Sequence, residues 1–151
     1  MLLFNPPDYD AAHYDEPTRR ALLAVRRFFE AKGHAVLKAE SHDATWYEDF
    51  LAMIAREGIF VRFGTPAAVG ALTNGTDATT ARWDTARNND LSQLLAWYSL
   101  EHWYAWQVTV LGLGPVWTSG NGEAKRLVGQ LLAQGGVFAF GLSDREHGAD
   151  I

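Results

Sequence analysis

Apolar residues recur at helical spacing in four stretches of the chain, and each stretch is bracketed by recognisable start and stop signals. The first is predicted over about 16–32: Leu22, Val25, Phe28 and Phe29 share one face, while Arg19, Arg26, Arg27 and Glu30 mostly occupy the other. Asp15 is a suitable N-cap, Pro17 fits the first turn, and Gly33 supplies the stop. A second helix is predicted over about 45–57, with Trp46, Phe50, Met53 and Ile54 as its apolar stripe. Thr45 and Glu48 are spaced as a capping box, and Gly58 ends the helix. Two amphipathic helices of this length need partners to be stable.

The segment from Gly58 to Asn89 carries weaker signals. Ile59-Phe60-Val61-Arg62-Phe63 suits a short strand or an extended connection, Gly64, Pro66, Gly70 and Gly75 mark loops, and Ala78 to Arg87 suits a helical turn or two. A third major helix is predicted over about 90–110, where Leu91, Leu94, Leu95, Tyr98, Trp103, Trp106 and Val110 make it apolar almost all round. Such a helix belongs at the centre of a bundle, covered on most sides. Gly112, Gly114 and Pro115 are expected to break it. A fourth helix is predicted over about 122–134, with Leu127, Val128, Leu131 and Leu132 buried and Glu123, Lys125 and Arg126 exposed. Gly135-Gly136 then turns the chain into a strand-like run, Val137-Phe138-Ala139-Phe140. The fold class expected is therefore mainly α, an up-and-down-like helical bundle over 1–136 ending in a single β-strand, with 137–151 as the start of a truncated β domain.

Composition narrows the function. At 151 residues and 48% hydrophobic, the chain can bury one core of ordinary size. A net charge of −5 argues against a nucleic-acid partner, since phosphate binding depends on clustered Lys and Arg. The densest cationic group, Arg19, Arg20, Arg26 and Arg27, suits the solvated face of one helix. With no cysteine, disulfides, thiolate catalysis and Cys-based zinc sites are excluded, which fits a cytoplasmic location. Met1-Leu2-Leu3-Phe4 is too short an apolar run for a signal peptide, and Asn74-Gly75-Thr76 reads as a turn. The apolar stretch Leu94 to Leu113 is interrupted by Glu101, His102 and Gln107, so a buried helix is expected rather than a membrane span.

Several constellations carry little chemistry. Asp144, Glu146, His147 and Asp150 are close in sequence but lack the alternating spacing of a calcium loop, and no metal site is expected. Glu101 and His102 are adjacent on a helix and point in different directions, so they cannot form a dyad. His102 reads as a hydrogen-bonded core histidine. Gly112-Leu113-Gly114 lacks the third glycine and the preceding strand of a dinucleotide fingerprint.

The polar turn after Phe140 is the most informative segment. The order is a central apolar helix, Gly112-Leu113-Gly114-Pro115, then Gly120-Asn121-Gly122-Glu123-Ala124-Lys125 opening a helix, then Val137 through Ser143-Asp144 to Gly148-Ala149-Asp150. Over Leu91 to Ile151 this resembles the N-terminal helical domain and first strand of the acyl-CoA dehydrogenases, where a Gly-Thr/Asn-x-x-x-Lys helix start precedes an Ala-x-x-Leu-Thr/Ser-Glu-Pro-x-x-Gly-Ser-Asp strand and turn. The resemblance implies that Phe140, Gly141, Leu142, Ser143, Gly148 and Ala149 touch FAD. Leu142 and Ser143 would offer backbone amides, and the Ser143 hydroxyl a further hydrogen bond. It also implies that the central helix lines an acyl pocket through Trp103, Tyr104, Gln107, Val108 and Leu111, with Ala149 near the substrate. Asp144, Arg145 and Ala149 depart from the family's usual Glu, Pro and Ser.

By the same resemblance, the reaction is α,β-desaturation of an acyl-CoA thioester: a carboxylate takes the α-proton while the β-hydrogen leaves as hydride to flavin N5. The family's catalytic base lies in a C-terminal domain, so no catalytic residue is expected among these 151 residues. Electron-transfer flavoprotein or a similar acceptor, a homotetramer, and neither nucleic acid nor membrane complete the expectation. An acyl-CoA oxidase or flavin monooxygenase of the same architecture is the near alternative, and a non-catalytic helical partner-binding module the distant one.

Overall fold

The computed structural model describes residues 5–66 and 85–141. Among these the chain is a helical bundle: after a 3-10 turn at Pro6–Asp8 come α1 (Glu16–Asp43), α2 (Tyr47–Arg56), α3 (Ile59–Gly64), α4 (Thr85–Tyr98), α5 (Leu100–Thr118) and α6 (Gly122–Ala133). No helix among them is long and apolar enough to cross a membrane. Helix α4 packs on α5 and α1, α3 sits against α4, α5 and α6, and α2 lies beside α3.

The first helix starts where predicted, with the Asp15 carboxylate accepting the Thr18 N–H at 3.2 Å. Gly33 does interrupt it, at φ +72° and ψ 161°, a conformation open essentially to glycine alone. The chain then resumes helical geometry as far as Asp43, eleven residues past the predicted end at 32. Arg20 and Arg27 are exposed, as expected of a solvated face. Arg19 and Arg26 instead fasten the leader: their guanidinium groups donate to the carbonyls of Asp10 at 2.9 Å and Tyr9 at 2.7 Å.

Three expectations are corrected further along. No capping box forms at Thr45 and Glu48; Trp46 is the N-cap and Glu48 meets Thr45 only through the backbone. Ile59 to Phe63 is a helical turn rather than extended, because Gly58 at φ +62° re-aims the chain and Ile59, Phe60 and Phe63 then bury on one side. The predicted helix over 90–110 is two helices, divided at Ser99, which is extended at φ −162° and ψ 126°. Apolar periodicity alone did not register a one-residue break.

Gly112, Gly114 and Pro115 do not end α5, which continues to Thr118. Proline removes one ladder hydrogen bond, but burial of Trp106, Leu113 and Trp117 ties the helix down on both sides of it, and the Trp117 indole N–H donates to the Gly64 carbonyl at 2.8 Å. Nor is α5 covered all round: Leu100 and Tyr104 are exposed by 68% and 60%. On α6 the buried stripe is Lys125, Val128, Gly129 and Leu132, whereas Leu127 and Leu131 face outward. The two possible stripes differ by one residue, about 100° around the helix, which explains the inversion of Lys125 and the two leucines.

Helix α6 begins with the Asn121 side chain accepting the Ala124 N–H at 3.0 Å and ends in a Schellman arrangement. There the Gly136 N–H reaches the Leu131 carbonyl at 2.9 Å and the Gly135 N–H the Leu132 carbonyl at 3.0 Å. Residues 136–141 carry no strand, and no strand occurs among the described residues.

His102 is a core residue, as the sequence suggested. The ring is buried within a box of Phe29, Trp46 and Phe50, with centroids 5.0, 4.9 and 4.6 Å away, and its Nδ1 lies 2.7 Å from the Ser99 hydroxyl. Burial, and then the ammonium of Lys32, push the imidazole down from 6.5 to about 4, against the opposing pull of the Trp46 main chain and the carboxylates of Glu101 and Asp49.

The unfolded chain accepts a proton at His102 below pH ~6.5 and the folded chain only near 4, so the stabilising preference for neutral imidazole is lost as pH falls between them. The loss is on the order of 3 kcal/mol. Urea unfolding at pH 7 and pH 4.5 should show the native protein losing more stability than His102→Gln; parallel losses would contradict this. Gly135 has φ +84°, and a methyl there would stand 2.4 Å from the Ala55 Cβ. Gly135→Ala should therefore cost about 3 kcal/mol of unfolding free energy, combining backbone strain with overpacking. Gly33→Ala, with nothing within 4 Å of the added methyl, should cost only the strain, and equal losses would refute the distinction.

Candidate functional site

A cleft of about 950 Å³ opens between the N-terminal half of α4 and the outer side of α5. The α4 wall is polar and uncharged, built from Thr85, Asn88, Asn89 and Ser92 at helical spacing. The α5 wall repeats that spacing with Trp103, Trp106, Gln107, Val110 and Leu111, and Gly114 and Pro115 form one rim. Phe140, from the segment after α6, completes the lining.

Trp106 anchors the inner wall. Its indole N–H donates to the Ser92 hydroxyl at 3.1 Å, and its ring lies 5.1 Å from Phe60. Segment 137–140 reaches the cleft by lying on α5. The Thr109 hydroxyl, which donates to the Ala105 carbonyl at 2.8 Å, accepts the Phe138 N–H at 3.4 Å. At Gly112 the approach is closer still: a methyl there would stand 2.8 Å from the Ala139 carbonyl oxygen. Glycine at this position lets main chain pack directly on the helix.

Of the residues singled out from sequence, the structure brings Trp103, Gln107, Leu111 and Phe140 to one cleft. Tyr104 points to solvent and Val108 lies outside the lining. Both are one residue beyond Trp103 and Gln107, and a 100° step per residue carries them off the cleft face. Gly141 is exposed, with open space beyond its α-carbon. Leu142, Ser143, Gly148 and Ala149 lie outside the described residues, as do Asp144, Glu146, His147 and Asp150. Sequence reasoning missed Asn88, Asn89 and Ser92, whose spacing of 85, 88, 89 and 92 is a helical face once Thr85–Tyr98 is known to be helical.

Titratable groups sit elsewhere. The Tyr9 hydroxyl donates to Asp90 at 2.7 Å, and burial followed by that carboxylate raises its pKa, so it serves as a clamp between leader and α4 rather than as an acid or base. Tyr98 donates to Glu30 at 3.1 Å and is pushed up to about 12, first by burial and then by that bond. Lys32 pairs with Asp49 at 2.6 Å and with Glu40; burial lowers its pKa, but the two hydrogen-bonded carboxylates outweigh it and the net shift is upward. Among the described residues no cluster of three or more His, Cys, Asp or Glu side chains is arranged to hold a metal ion. The cleft can therefore bind and orient a ligand, but these residues offer it no acid, base or nucleophile of shifted reactivity.

Comparison of the chain with protein-family models, with curated proteins and with solved structures finds no match.

Proposed function

We propose that this chain is the N-terminal helical domain of an FAD-dependent acyl-CoA dehydrogenase or a close relative, with the α4–α5 cleft receiving the acyl group. The observation that carries the reading is the meeting of Phe140 with Trp103, Gln107 and Leu111 in one cleft. The resemblance in sequence assigns the first to the flavin and the others to an acyl pocket near it, so their sharing one cleft is what that reading requires. An acyl-CoA thioester and a protein electron acceptor such as electron-transfer flavoprotein belong to the same proposal, as do the tetramer and the cytoplasmic location.

The residues present fit an isoalloxazine edge in one respect: Gly141 leaves its outer side open directly after a backbone stretch seated on Gly112. Phe140 and Gly141 would hold FAD, followed by the amides of Leu142 and Ser143, the Ser143 hydroxyl, Gly148 and Ala149. When bound, FAD would supply the electron sink for forming the α,β-double bond. The chain's own part is to wrap the acyl group in Trp103, Trp106, Val110 and Leu111 and so exclude water from it.

Expression of a complete reading frame containing these residues should give a yellow protein whose flavin bands bleach with one or more acyl-CoA thioesters. Colour retained with no bleaching by any thioester would refute the dehydrogenase and favour a flavin monooxygenase of the same fold; a colourless protein that takes up no added FAD would refute the flavin altogether. A methyl at Gly114, on the cleft rim, meets nothing within 4 Å, so Gly114→Leu starts its side chain into open space. It should lower kcat/KM for the bulkiest accepted thioester about tenfold, roughly 1.4 kcal/mol of lost transition-state binding, while the melting temperature holds or rises with helix propensity. Unchanged chain-length preference would place the acyl group elsewhere.

A further inference from the structure

The chemistry of the cleft walls goes further than an apolar pocket for a hydrocarbon chain. Three carboxamides, Asn88, Asn89 and Gln107, and two hydroxyls, Thr85 and Ser92, share the lining with aromatic and aliphatic groups, and none of the described lining residues carries a formal charge. Ser92 already serves the Trp106 indole. Asn88 does not have its needs met: its Oδ1 is fully buried and has no hydrogen-bond partner. Unpartnered buried acceptors are uncommon, since the group has lost water and gained nothing for it. The terminal torsion of an Asn side chain is broad and nearly two-fold, so the carboxamide can turn to meet an incoming donor at little cost.

We infer that this cleft selects an uncharged, flat or ring-bearing ligand body that carries a hydrogen-bond donor, in preference to a plain alkyl or aryl group; the inference rests on reading the cleft as the ligand cavity. A purely apolar body strips water from the carboxamides of Asn89 and Gln107 and leaves the Asn88 acceptor unpartnered. One bearing a hydroxyl keeps its ring against Trp103 and Phe140 and turns its polar edge toward the α4 wall. A carboxylate body finds no countercharge among the described lining residues and is rejected by desolvation. Under the proposed function this makes the preferred substrate a thioester whose acyl group is hydroxylated or otherwise carries a donor.

Three small probes separate these cases with the chain itself and without flavin: toluene, p-cresol and p-toluate, titrated near pH 7 and followed by ligand-observed NMR and tryptophan emission. The expected order is p-cresol about tenfold tighter than toluene, one net hydrogen bond or about 1.4 kcal/mol, with p-toluate weakest. In Asn88→Leu the ratio of p-cresol to toluene should fall to about twofold or less. Equal binding of p-cresol and toluene by the unsubstituted chain overturns the inference whatever the variant does, as does tightest binding of p-toluate, a preference that survives in folded Asn88→Leu, or no binding of any probe. A protein that sorts the probes as expected but never bleaches a flavin refutes the dehydrogenase alone. A protein that bleaches but treats the probes alike refutes the ligand preference alone.

Discussion

The burial of one indole, Trp106, ties the bundle to its cleft. The ring packs on Phe60 of α3, gives its N–H to Ser92 of α4, belongs to α5, and shows about 1% of its surface to solvent. Three helices therefore meet at a single side chain that needs both an apolar slot and one hydroxyl in a fixed place. Trp106 is also one of the residues that line the cleft. Core and cavity share a wall, so the shape of the cavity is set by the same packing that holds α3, α4 and α5 together.

A second ring organises the start of α5, one turn before Trp106. His102 sits among Phe29 of α1 and Trp46 and Phe50 at the start of α2, and next to it Glu101 accepts a hydrogen bond from Ser41 in the second half of α1. Lys32 lies over the Phe28 ring at 5.0 Å and holds Asp49 and Glu40. Charges on α1 and α2 are thus satisfied at the margin of the aromatic cluster, and only neutral groups enter it. That division keeps α5 fixed at its start, one turn before the cleft begins.

Much of the helical architecture was legible in the chain, because apolar spacing and end signals coincided: Asp15 and Gly33 around the first helix, Asn121 and Gly135 around the last. Where the reading failed, tertiary contacts outweighed local preference. Gly112, Gly114 and Pro115 carry the signature of a helix stop, yet Trp117 reaches Gly64 and holds the helix past them. Ser99 carries no strong break signal, yet its hydroxyl meets the His102 ring and divides one apparent helix into two. For the site, Trp103, Gln107 and Leu111 lie on one stripe that the periodicity already contained. Tyr104 and Val108 do not, and counting 3.6 residues per turn separates the two groups. The polar wall was obscured because Asn88 and Asn89 fell in a stretch whose helix start could not be placed from composition.

The close seat of Ala139 on Gly112 is a matter of geometry more than of attraction. A helix surface offers many shallow grooves along which an extended segment might slide, but only one position on α5 lacks a side chain just where a carbonyl must pass. The missing methyl works like a keyway on a shaft: it indexes the segment lengthwise, so that the residue following it arrives at the cavity mouth at a set offset. The alignment of Phe140 with the cavity is thus inherited from a single hydrogen atom on α5.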